Sequence, residues 1–290
     1  MAKSVNKYSY PSENIGKETW LFLWRKLKQI LPYHIAFNLM AFAIGIIRGH
    51  SLEENINRLS CLLFLPAIGF NDQQWMLGAE WYIGYMLFAM LVIYPFIRKW
   101  NVIVMEYIAP VLAIVLYGYL ALNYQTVMGS NRMLETFAGL LLGISVYSLS
   151  ANLKTIIEKS DSVWFKRFVG MYPLAIILCF LLYLNTSIGT SIQPFMVLIL
   201  ASGLAVSFSE KGIVSQKGVL NNNVVYWLGK MSLPIYMIQN ITRMVALAMF
   251  KEKPEITLYI IESVITIICG IVGYYILAKI SSSIKRKINA

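Results

Sequence analysis

The sequence predicts an all-α membrane protein, a polytopic transmembrane helical bundle of about eight spans with one short re-entrant or interfacial segment. Of its 290 residues, 58% are hydrophobic and only 13% are charged, and the mean hydropathy is +0.62, whereas soluble domains are roughly 45–50% apolar and about 25% charged. Eight apolar stretches meet or approach the length of about 20 residues that a helix needs to cross a hydrocarbon core. Such runs are too long for barrel strands, so helices are the expected spanning form.

The longest connection between the predicted spans is the loop from Gly49 to Ala79. This loop carries its own apolar piece, Leu59 to Phe70, which is too short to cross and is broken by Pro66 and Gly69. It is the predicted re-entrant or interfacial segment, on the outer side. The predicted spans are Leu31 to Arg48, Glu80 to Ile97, Val102 to Asn123, Met133 to Ser150, Val169 to Leu184, Ile192 to Phe208, Val224 to Phe250 and Ile256 to Ile280.

The lysines and arginines predict the orientation of these spans, because basic residues are retained in cytoplasmic loops. With the N-terminal arm placed in the cytoplasm, that side collects 19 of the 25 Lys and Arg residues. Both termini are therefore expected in the cytoplasm. The formal net charge of +11 is thus a topology signal and predicts no nucleic-acid partner. The basic residues left on the outer side are Arg48, Arg58, Arg132, Arg243, Lys251 and Lys253.

Three regions are predicted along the chain: a cytoplasmic basic amphipathic arm (1–29), a transmembrane domain (30–281) and a basic cytoplasmic tail (282–290). In the arm, Trp20, Trp24, Leu27 and Leu31 recur on one helical face. We expect the arm to lie on the inner membrane surface and then to turn into the first span. It is either a topology anchor that is attracted to anionic lipid or a docking site for a cytoplasmic anionic ligand.

Few residues in the spans point to chemistry by themselves. The only two histidines, His34 and His50, are each either an interfacial residue or a general base. Arg243 and Glu262 lie in the last two spans, where a structural ion pair between neighbours would satisfy both charges. The cysteines lie far apart without CxxC spacing, so small core residues are expected rather than a disulfide or a metal site. They are Cys61, Cys179 and Cys269.

Four stretches carry motifs that follow one another in a known order. Residues 22–33, FLWRKLKQILPY, place basic residues ahead of a span, and residues 78–97, GAEWYIGYMLFAMLVIYPFI, hold a Glu-Trp pair and end with a proline between apolar residues. Residues 132–143 read RMLETFAGLLLG and residues 227–240 read WLGKMSLPIYMIQN. In this order they resemble acyltransferase family 3. Its members are bacterial multi-pass proteins that pass acyl groups, commonly acetyl from acetyl-CoA, to hydroxyls of surface polysaccharides and other extracytoplasmic acceptors.

The resemblance implies an acyltransferase of a bacterial inner membrane. Its donor would be acyl-CoA, commonly acetyl-CoA, its acceptor a surface polysaccharide or similar glycan, and membrane lipid its surroundings; no permanently bound cofactor or metal is expected. A base must deprotonate the acceptor hydroxyl, and the candidates are Glu80 and His50. The residues implied in binding CoA are Arg25, Lys26, Lys28, Lys230 and Ser232, and those implied in lining the substrate cavity are Trp81, Tyr236 and Gln239.

The chain also departs from the family pattern. Family members usually begin with two further spans, of which the first holds an Arg and a His, and this chain starts beyond them. The family usually has an Arg-x-x-Arg pair in its basic stretch, where this chain has Lys26 and Gln29. The late family motif usually ends in His, where this chain has Gln239. The departures therefore predict a truncated, split or inactive member that transfers little by itself, with a separate polypeptide supplying the missing spans as a further partner.

The alternative function is that of a carrier or flippase without covalent chemistry, which also uses buried charges and polar helix ends. Broken helices in repeat-related positions would favour this alternative. The sequence shows no internal repeat, so the acyltransferase remains the first hypothesis.

Overall fold

The structure of the chain is a computed structural model, and it describes residues 14–65, 77, 80–123, 131–184, 192–209 and 222–288. Every regular element within these ranges is helical. The helices are α1 (Ile15–Ile47), α2 (Leu52–Arg58), α3 (Glu80–Lys99), α4 (Asn101–Leu122), α5 (Arg132–Lys159), α6 (Val163–Leu184), α7 (Gln193–Phe208), α8 (Asn223–Phe250) and α9 (Glu255–Ile288), and a 3₁₀ turn covers Leu59–Leu63.

Seven of the described helices are long and apolar enough to cross a membrane. The exceptions are α2, which has seven residues, and α7, whose 16 residues extend about 24 Å at 1.5 Å per residue. Each of the eight predicted spans coincides with one helix, and α7 corresponds to the predicted span Ile192 to Phe208. The polytopic helical bundle is therefore confirmed, as seven candidate spans with one shorter apolar helix.

Helix α1 differs from its prediction at the N-terminal end. One unbroken helix of 33 residues runs from Ile15 to Ile47 and contains Pro32, so the expected turn between an arm and the first span is absent. The side chain of Thr19 is buried and its hydroxyl donates to the carbonyl of Ile15 at 2.8 Å. Basic residues in the sequence suggested a surface segment, but the apolar residues between them allow the helix to continue.

Helix α4 contains one wide, π-helical turn, Val104–Ile108. Within it the backbone N–H of Ala109 donates to the carbonyl of Val104, five residues earlier, instead of the four of an α-helix. The helix therefore carries one extra residue in this turn. The faces of α4 before and after the turn are rotated relative to an uninterrupted α-helix.

The described chain divides into two compact units, and each combines segments that are distant in sequence. Unit 1 comprises Met1–Leu21 and Phe88–Asn222, and unit 2 comprises Phe22–Leu87 and Asn223–Ala290. In unit 1, α7 packs against α5 and α6. Gly203 of α7 lies so close to α6 that a Cβ would stand 3.2 Å from the side chain of Ile176, and Tyr172 and Ser202 are joined by a hydroxyl hydrogen bond of 2.8 Å.

The centre of unit 2 is the antiparallel pair α8 and α9. Their backbones touch at Gly270, where a Cβ would lie 2.8 Å from the Cα of Ile235. Small residues allow such a close approach of helices in membranes. One apolar cluster joins these helices to α1 and α3; its buried members are Ile30, Phe37, Leu77, Ile83, Met237, Ile238 and Ile241, and Cys269 is packed against it.

The expected ion pair between Arg243 and Glu262 does not form in the described structure, where Arg243 is exposed and Glu262 is half-buried. The residue that faces α9 is Thr242, whose hydroxyl is hydrogen-bonded to that of Thr266 at 2.5 Å. Because consecutive residues of a helix point in different directions, placing Thr242 in the interface turns Arg243 out of it. The expectation of a pair was therefore wrong.

Candidate functional site

All the residues that the sequence singles out for binding or catalysis belong to unit 2, although they are far apart in the chain. The first group comes from the segment 22–87 and the second from the segment after Asn222. These residues are Arg25, Lys26, Lys28, His50, Glu80, Trp81, Lys230, Ser232, Tyr236 and Gln239.

Lys230 lies among aromatic side chains near the beginning of α8. Its Nζ is 4.4 Å from the ring centroid of Tyr226 and 5.2 Å from that of Trp227. The indole of Trp227 in turn contacts Tyr274 of α9, with ring centroids 6.1 Å apart. Tyr274 is also close enough to Lys230 to interact with its charge. An exposed ammonium group is therefore held against rings and phenolic hydroxyls at this end of the α8–α9 pair.

The direction in which Lys230 points follows from its spacing along α8. Lys230, Leu233, Met237 and Ile241 recur at intervals of three and four residues, so they share one face of the helix. Met237 and Ile241 are buried in the apolar cluster of unit 2, and Leu233 is packed against it. Lys230 thus continues the core-facing stripe of α8.

The same stripe pattern places Lys26 on α1. Lys26, Ile30, Tyr33 and Phe37 share one helix face, and Ile30 and Phe37 are buried in the same apolar cluster. Phe37 contacts α9 at Gly273, where a Cβ would lie 3.0 Å from its ring, and Tyr33 is close enough to Tyr274 for an electrostatic interaction. Tyr33 and Lys230 therefore approach the same tyrosine, and Lys26 lies about 10 Å further along α1.

The remaining candidate CoA-binding residues do not share these faces. Lys28 is exposed, with its Nζ 5.2 Å from the ring of Trp24 on the same helix, and Arg25 is exposed as well. Ser232 lies two residues after Lys230, and such residues do not face each other; its hydroxyl donates to the carbonyl of Gly229 at 2.8 Å. The structure therefore places Lys26 and Lys230 at the ends of the core-facing stripes of α1 and α8, and it places Ser232 on another face of α8.

The residues implied in the substrate cavity lie further along α8 and at the beginning of α3. The amide of Asn240 donates to the backbone carbonyl of Leu77 at 2.6 Å, so it holds the chain that leads into α3. Tyr236 and Gln239 are half-buried, and Tyr236 packs against the apolar cluster. Trp81 is half-buried too, with its ring edge-on to those of Tyr82 and Tyr85. Glu80 begins α3, but its side chain lies outside the described part of the structure.

His50 lies just before α2 in a short chain of charged groups. Its Nδ1 is 3.2 Å from a carboxylate oxygen of Glu54, whose other oxygen accepts from Arg58. Ser51 caps the helix by accepting the backbone N–H of Glu54 at 3.1 Å. A carboxylate at Nδ1 favours the tautomer with the proton on that nitrogen, which leaves the basic lone pair of the neutral ring on Nε2. This is the arrangement of a histidine that acts as a base.

Comparison with known proteins tests the resemblance directly. A family model described as an acyltransferase domain, Acyl_transf_3, matches residues 10–279, which is nearly the whole chain. The chain belongs to acyltransferase family 3. The suspected family is thereby confirmed, and with it a multi-pass membrane protein of an acyltransferase type. No curated protein and no solved structure matched the chain.

Among the described residues of unit 2 in this family 3 chain, His34 and its neighbour Asn38 are the fully buried polar side chains. The Nε2 of His34 lies 3.0 Å from the carbonyl of Cys61, and its Nδ1 lies 3.2 Å from the amide nitrogen of Asn38. The ring is stacked on Phe64, with centroids 4.0 Å apart. The carbonyl of Cys61 can only accept a hydrogen bond, and the amide nitrogen of Asn38 can only donate one. The imidazole proton is therefore on Nε2. The expectation of an interfacial histidine was therefore wrong for His34, which is fully buried.

The contact between His34 and Cys61 also fixes the course of the loop after α1. His34 lies thirteen residues before Ile47, which is about 20 Å along the helix. The described part of the loop therefore turns back alongside α1, as expected for a re-entrant segment; the remainder of the predicted piece, residues 66–70, lies outside the described residues. Phe64 has a left-handed conformation, with φ of 55°, which is unfavourable for an aromatic residue.

Sequence reasoning missed an ion pair in unit 1. Arg98 Nε lies 2.7 Å from a carboxylate oxygen of Glu18, and the Arg98 side chain is only 6% exposed. The sequence placed Arg98 on the basic side as one of many topology charges and indicated no role for Glu18. The two residues are 80 positions apart and no motif links them, so only the structure could identify the pair.

Proposed function

We propose that the chain transfers an acyl group from acyl-CoA, bound on the basic side of the membrane, to a hydroxyl of a surface polysaccharide or similar glycan on the other side. The observation that carries this proposal is the position of Lys26 and Lys230 on core-facing stripes. Lys230 is exposed beside its aromatic neighbours and Lys26 is half-buried at the end of its stripe, so both cations are open to an anionic ligand from solution. The phosphates of CoA supply the anion, through charge-assisted hydrogen bonds.

The aromatic residues beside these cations suit the rest of the donor. Trp227 offers a flat indole face to the adenine ring, and the hydroxyls of Tyr33 and Tyr274 offer hydrogen bonds to phosphate oxygens. Apolar residues of the same stripes continue beyond them along α1 and α8. The partly buried ones among them, Tyr33 and Leu233, would contact the pantetheine arm, which needs no charged partner.

For the base we propose His50, with Glu80 as its rival. The Nε2 atom of His50 takes the proton of the acceptor hydroxyl while the hydroxyl oxygen attacks the thioester carbonyl. The carbon–sulfur bond then breaks, an ester forms, and CoA leaves as a thiol after protonation. Because Glu54 holds Nδ1 at 3.2 Å, the ring is already oriented for this step.

The first experiment measures acyl-CoA binding to the purified chain in detergent micelles. In the double variant Lys26→Gln/Lys230→Gln we expect binding to weaken by about tenfold or more for each lysine replaced, since charge-assisted hydrogen bonds contribute roughly 1.5–3 kcal/mol. The double variant Arg25→Gln/Lys28→Gln removes the same charge from other faces of α1 and should have a smaller effect. Lys251→Gln/Lys253→Gln, at the α8–α9 turn, is a control for net charge. Equally weakened binding in all three variants would contradict a site at the ends of these two stripes.

The second experiment measures transfer of labelled acetyl to a glycan. General-base help is typically worth about 10²–10⁴ in rate, so we expect His50→Gln to slow transfer by this factor while acyl-CoA binding stays unchanged. Slower transfer in Glu80→Gln alone would assign the base to Glu80. The assay is repeated with an added two-span polypeptide that carries an Arg and a His. Activity that appears only in the mixture would show that the base is supplied by a partner.

A further inference from the structure

Two stacks of a cation on a tryptophan stand on the surface of unit 1, and none of their residues belongs to the proposed CoA site. Lys99 Nζ lies 4.5 Å from the ring centroid of Trp100, and the guanidinium carbon of Arg167 lies 5.8 Å from that of Trp164. Both indoles are exposed, Trp100 by 43% and Trp164 by 79%. Each stack therefore presents a positive charge and an amphipathic ring together at the surface.

These cations differ from their neighbour Arg98 in having no carboxylate partner among the described residues. Arg98 is paired with Glu18 and almost buried. Within the described part of the chain, neither Lys99 nor Arg167 forms an ion pair with a carboxylate. The exposed charges of Lys99 and Arg167 can therefore bind an anion that is not part of the protein.

Both stacks lie at the ends of predicted spans, where a membrane boundary is expected. Lys99 ends α3 directly after an apolar run, and Trp164 and Arg167 lie in the first turns of α6, before the predicted span that begins at Val169. Both stacks lie on the side where the sequence collects most of its basic residues. Tryptophan and lysine or arginine at this depth contact lipid headgroups.

Apolar rings continue each stack toward the membrane. Phe96 is stacked on Trp100, with centroids 5.9 Å apart, and it is half exposed. Phe168 follows Trp164 by one turn of α6 and is exposed as well. An anion that also carried acyl chains would cover these rings, whereas a free phosphate would leave them in contact with water or detergent.

We infer that the Lys99–Trp100 and Arg167–Trp164 stacks each bind the headgroup of an anionic phospholipid on the basic side of the membrane. The ammonium or guanidinium group contacts the phosphate, the indole lies at the level of the glycerol esters, and the phenylalanine contacts the first part of an acyl chain. This inference is independent of the acyl transfer proposed above, because none of these residues belongs to the CoA site.

The test titrates the full chain, in neutral detergent micelles, with phosphatidylglycerol and counts bound lipids by native mass spectrometry. In Lys99→Gln/Arg167→Gln we expect the affinity to fall by about fivefold for each charge removed, since a basic residue near an anionic surface contributes about 1 kcal/mol. Lys251→Gln/Lys253→Gln removes the same charge at the opposite end of the spans and should bind as the unaltered chain does. Unchanged affinity in the first variant, or an equal decrease in the control, would overturn the inference.

Two further arms identify the source of the anion. Phosphatidylcholine has the same chains without net charge, and inorganic phosphate has the charge without chains; both should bind at least tenfold more weakly than phosphatidylglycerol, and equal binding of either would overturn the inference. If the first variant loses its helical circular dichroism, Trp100→Leu/Trp164→Leu takes its place. It keeps both charges and should still bind phosphatidylglycerol more weakly, and unchanged binding in that variant would likewise overturn the inference. Acyl-CoA binding should be unaffected in either variant.

Discussion

The two histidines show how surroundings divide one residue type between two tasks. His34 is fully buried, both of its ring nitrogens are engaged, and Phe64 covers its ring. It therefore holds the loop after α1 in place and has no access to a substrate. His50 is half-buried, lies beside a carboxylate at Nδ1 and keeps part of its side chain exposed to solvent. Sequence reasoning left both residues with the same alternatives, because burial cannot be seen from two isolated positions.

The role of His34 predicts the effect of His34→Leu on stability. Leucine keeps the volume but leaves the carbonyl of Cys61 and the amide of Asn38 without the imidazole, and an unsatisfied buried group costs about 1–3 kcal/mol. We expect a decrease of that size in the free energy of unfolding, measured by denaturant titration in micelles. Met40→Leu, at a more exposed position of the same helix, is the matched control. A His34→Leu chain as stable as the control would exclude a structural role for the imidazole.

At the scale of elements, the sequence predicts the interiors of helices better than their ends and contacts. Every predicted span lies on a helix because an apolar run of membrane length has few other solutions. The start of α1 was misjudged because basic residues suggested a surface arm, whereas the helix continues through Pro32. The Arg243–Glu262 pair was misjudged because hydropathy does not reveal which residue of a helix faces its neighbour. Thr242 occupies that position instead.

The close contact of α8 and α9 predicts a strong effect of Gly270→Ala. The added Cβ would lie 2.8 Å from the Cα of Ile235, and a backbone atom cannot move aside as a side chain can. Overpacking of this kind costs typically 1–3 kcal/mol, so we expect a lower midpoint of thermal unfolding. Gly229→Ala in α8 adds the same methyl group where nothing lies within 4 Å and serves as the control. Equal midpoints for the two variants would mean that the helices can separate freely.

At the scale of the whole molecule, the candidate site is assembled from two distant parts of the sequence, 22–87 and 223–290. The family motifs supplied its candidate residues without any structure. They did not reveal that Lys26 and Lys230 stand at the ends of core-facing stripes while Arg25 and Ser232 lie on other helix faces, because a motif records residue types and spacing but not which helices pack together. The Glu18–Arg98 pair could not be predicted from the sequence for the same reason.

The topology of the molecule gives its own prediction. The excess of basic residues on one side, together with seven candidate spans and the shorter helix α7, predicts that both ends of the chain are cytoplasmic. Alkaline phosphatase fused to either end in a bacterial inner membrane should be inactive, whereas a cytoplasmic fluorescent reporter should be bright. The same enzyme inserted between Lys251 and Pro254 should be active. An active fusion at the C-terminus would require an odd number of crossings, and α7 would then not cross.

The wide turn of α4 has a consequence for the history of the sequence. The extra residue within Val104–Ile108 is what the insertion of a single codon would produce. The wide turn accommodates the added residue, and the helix continues on both sides of it. Relatives of this chain should therefore fall into two groups that differ by a one-residue gap at this place. Removing Tyr107, which is exposed, should convert the turn to an ordinary α-helix and leave a folded protein, whereas the same deletion inside the regular part of α5 would rotate one half of that helix against its neighbours.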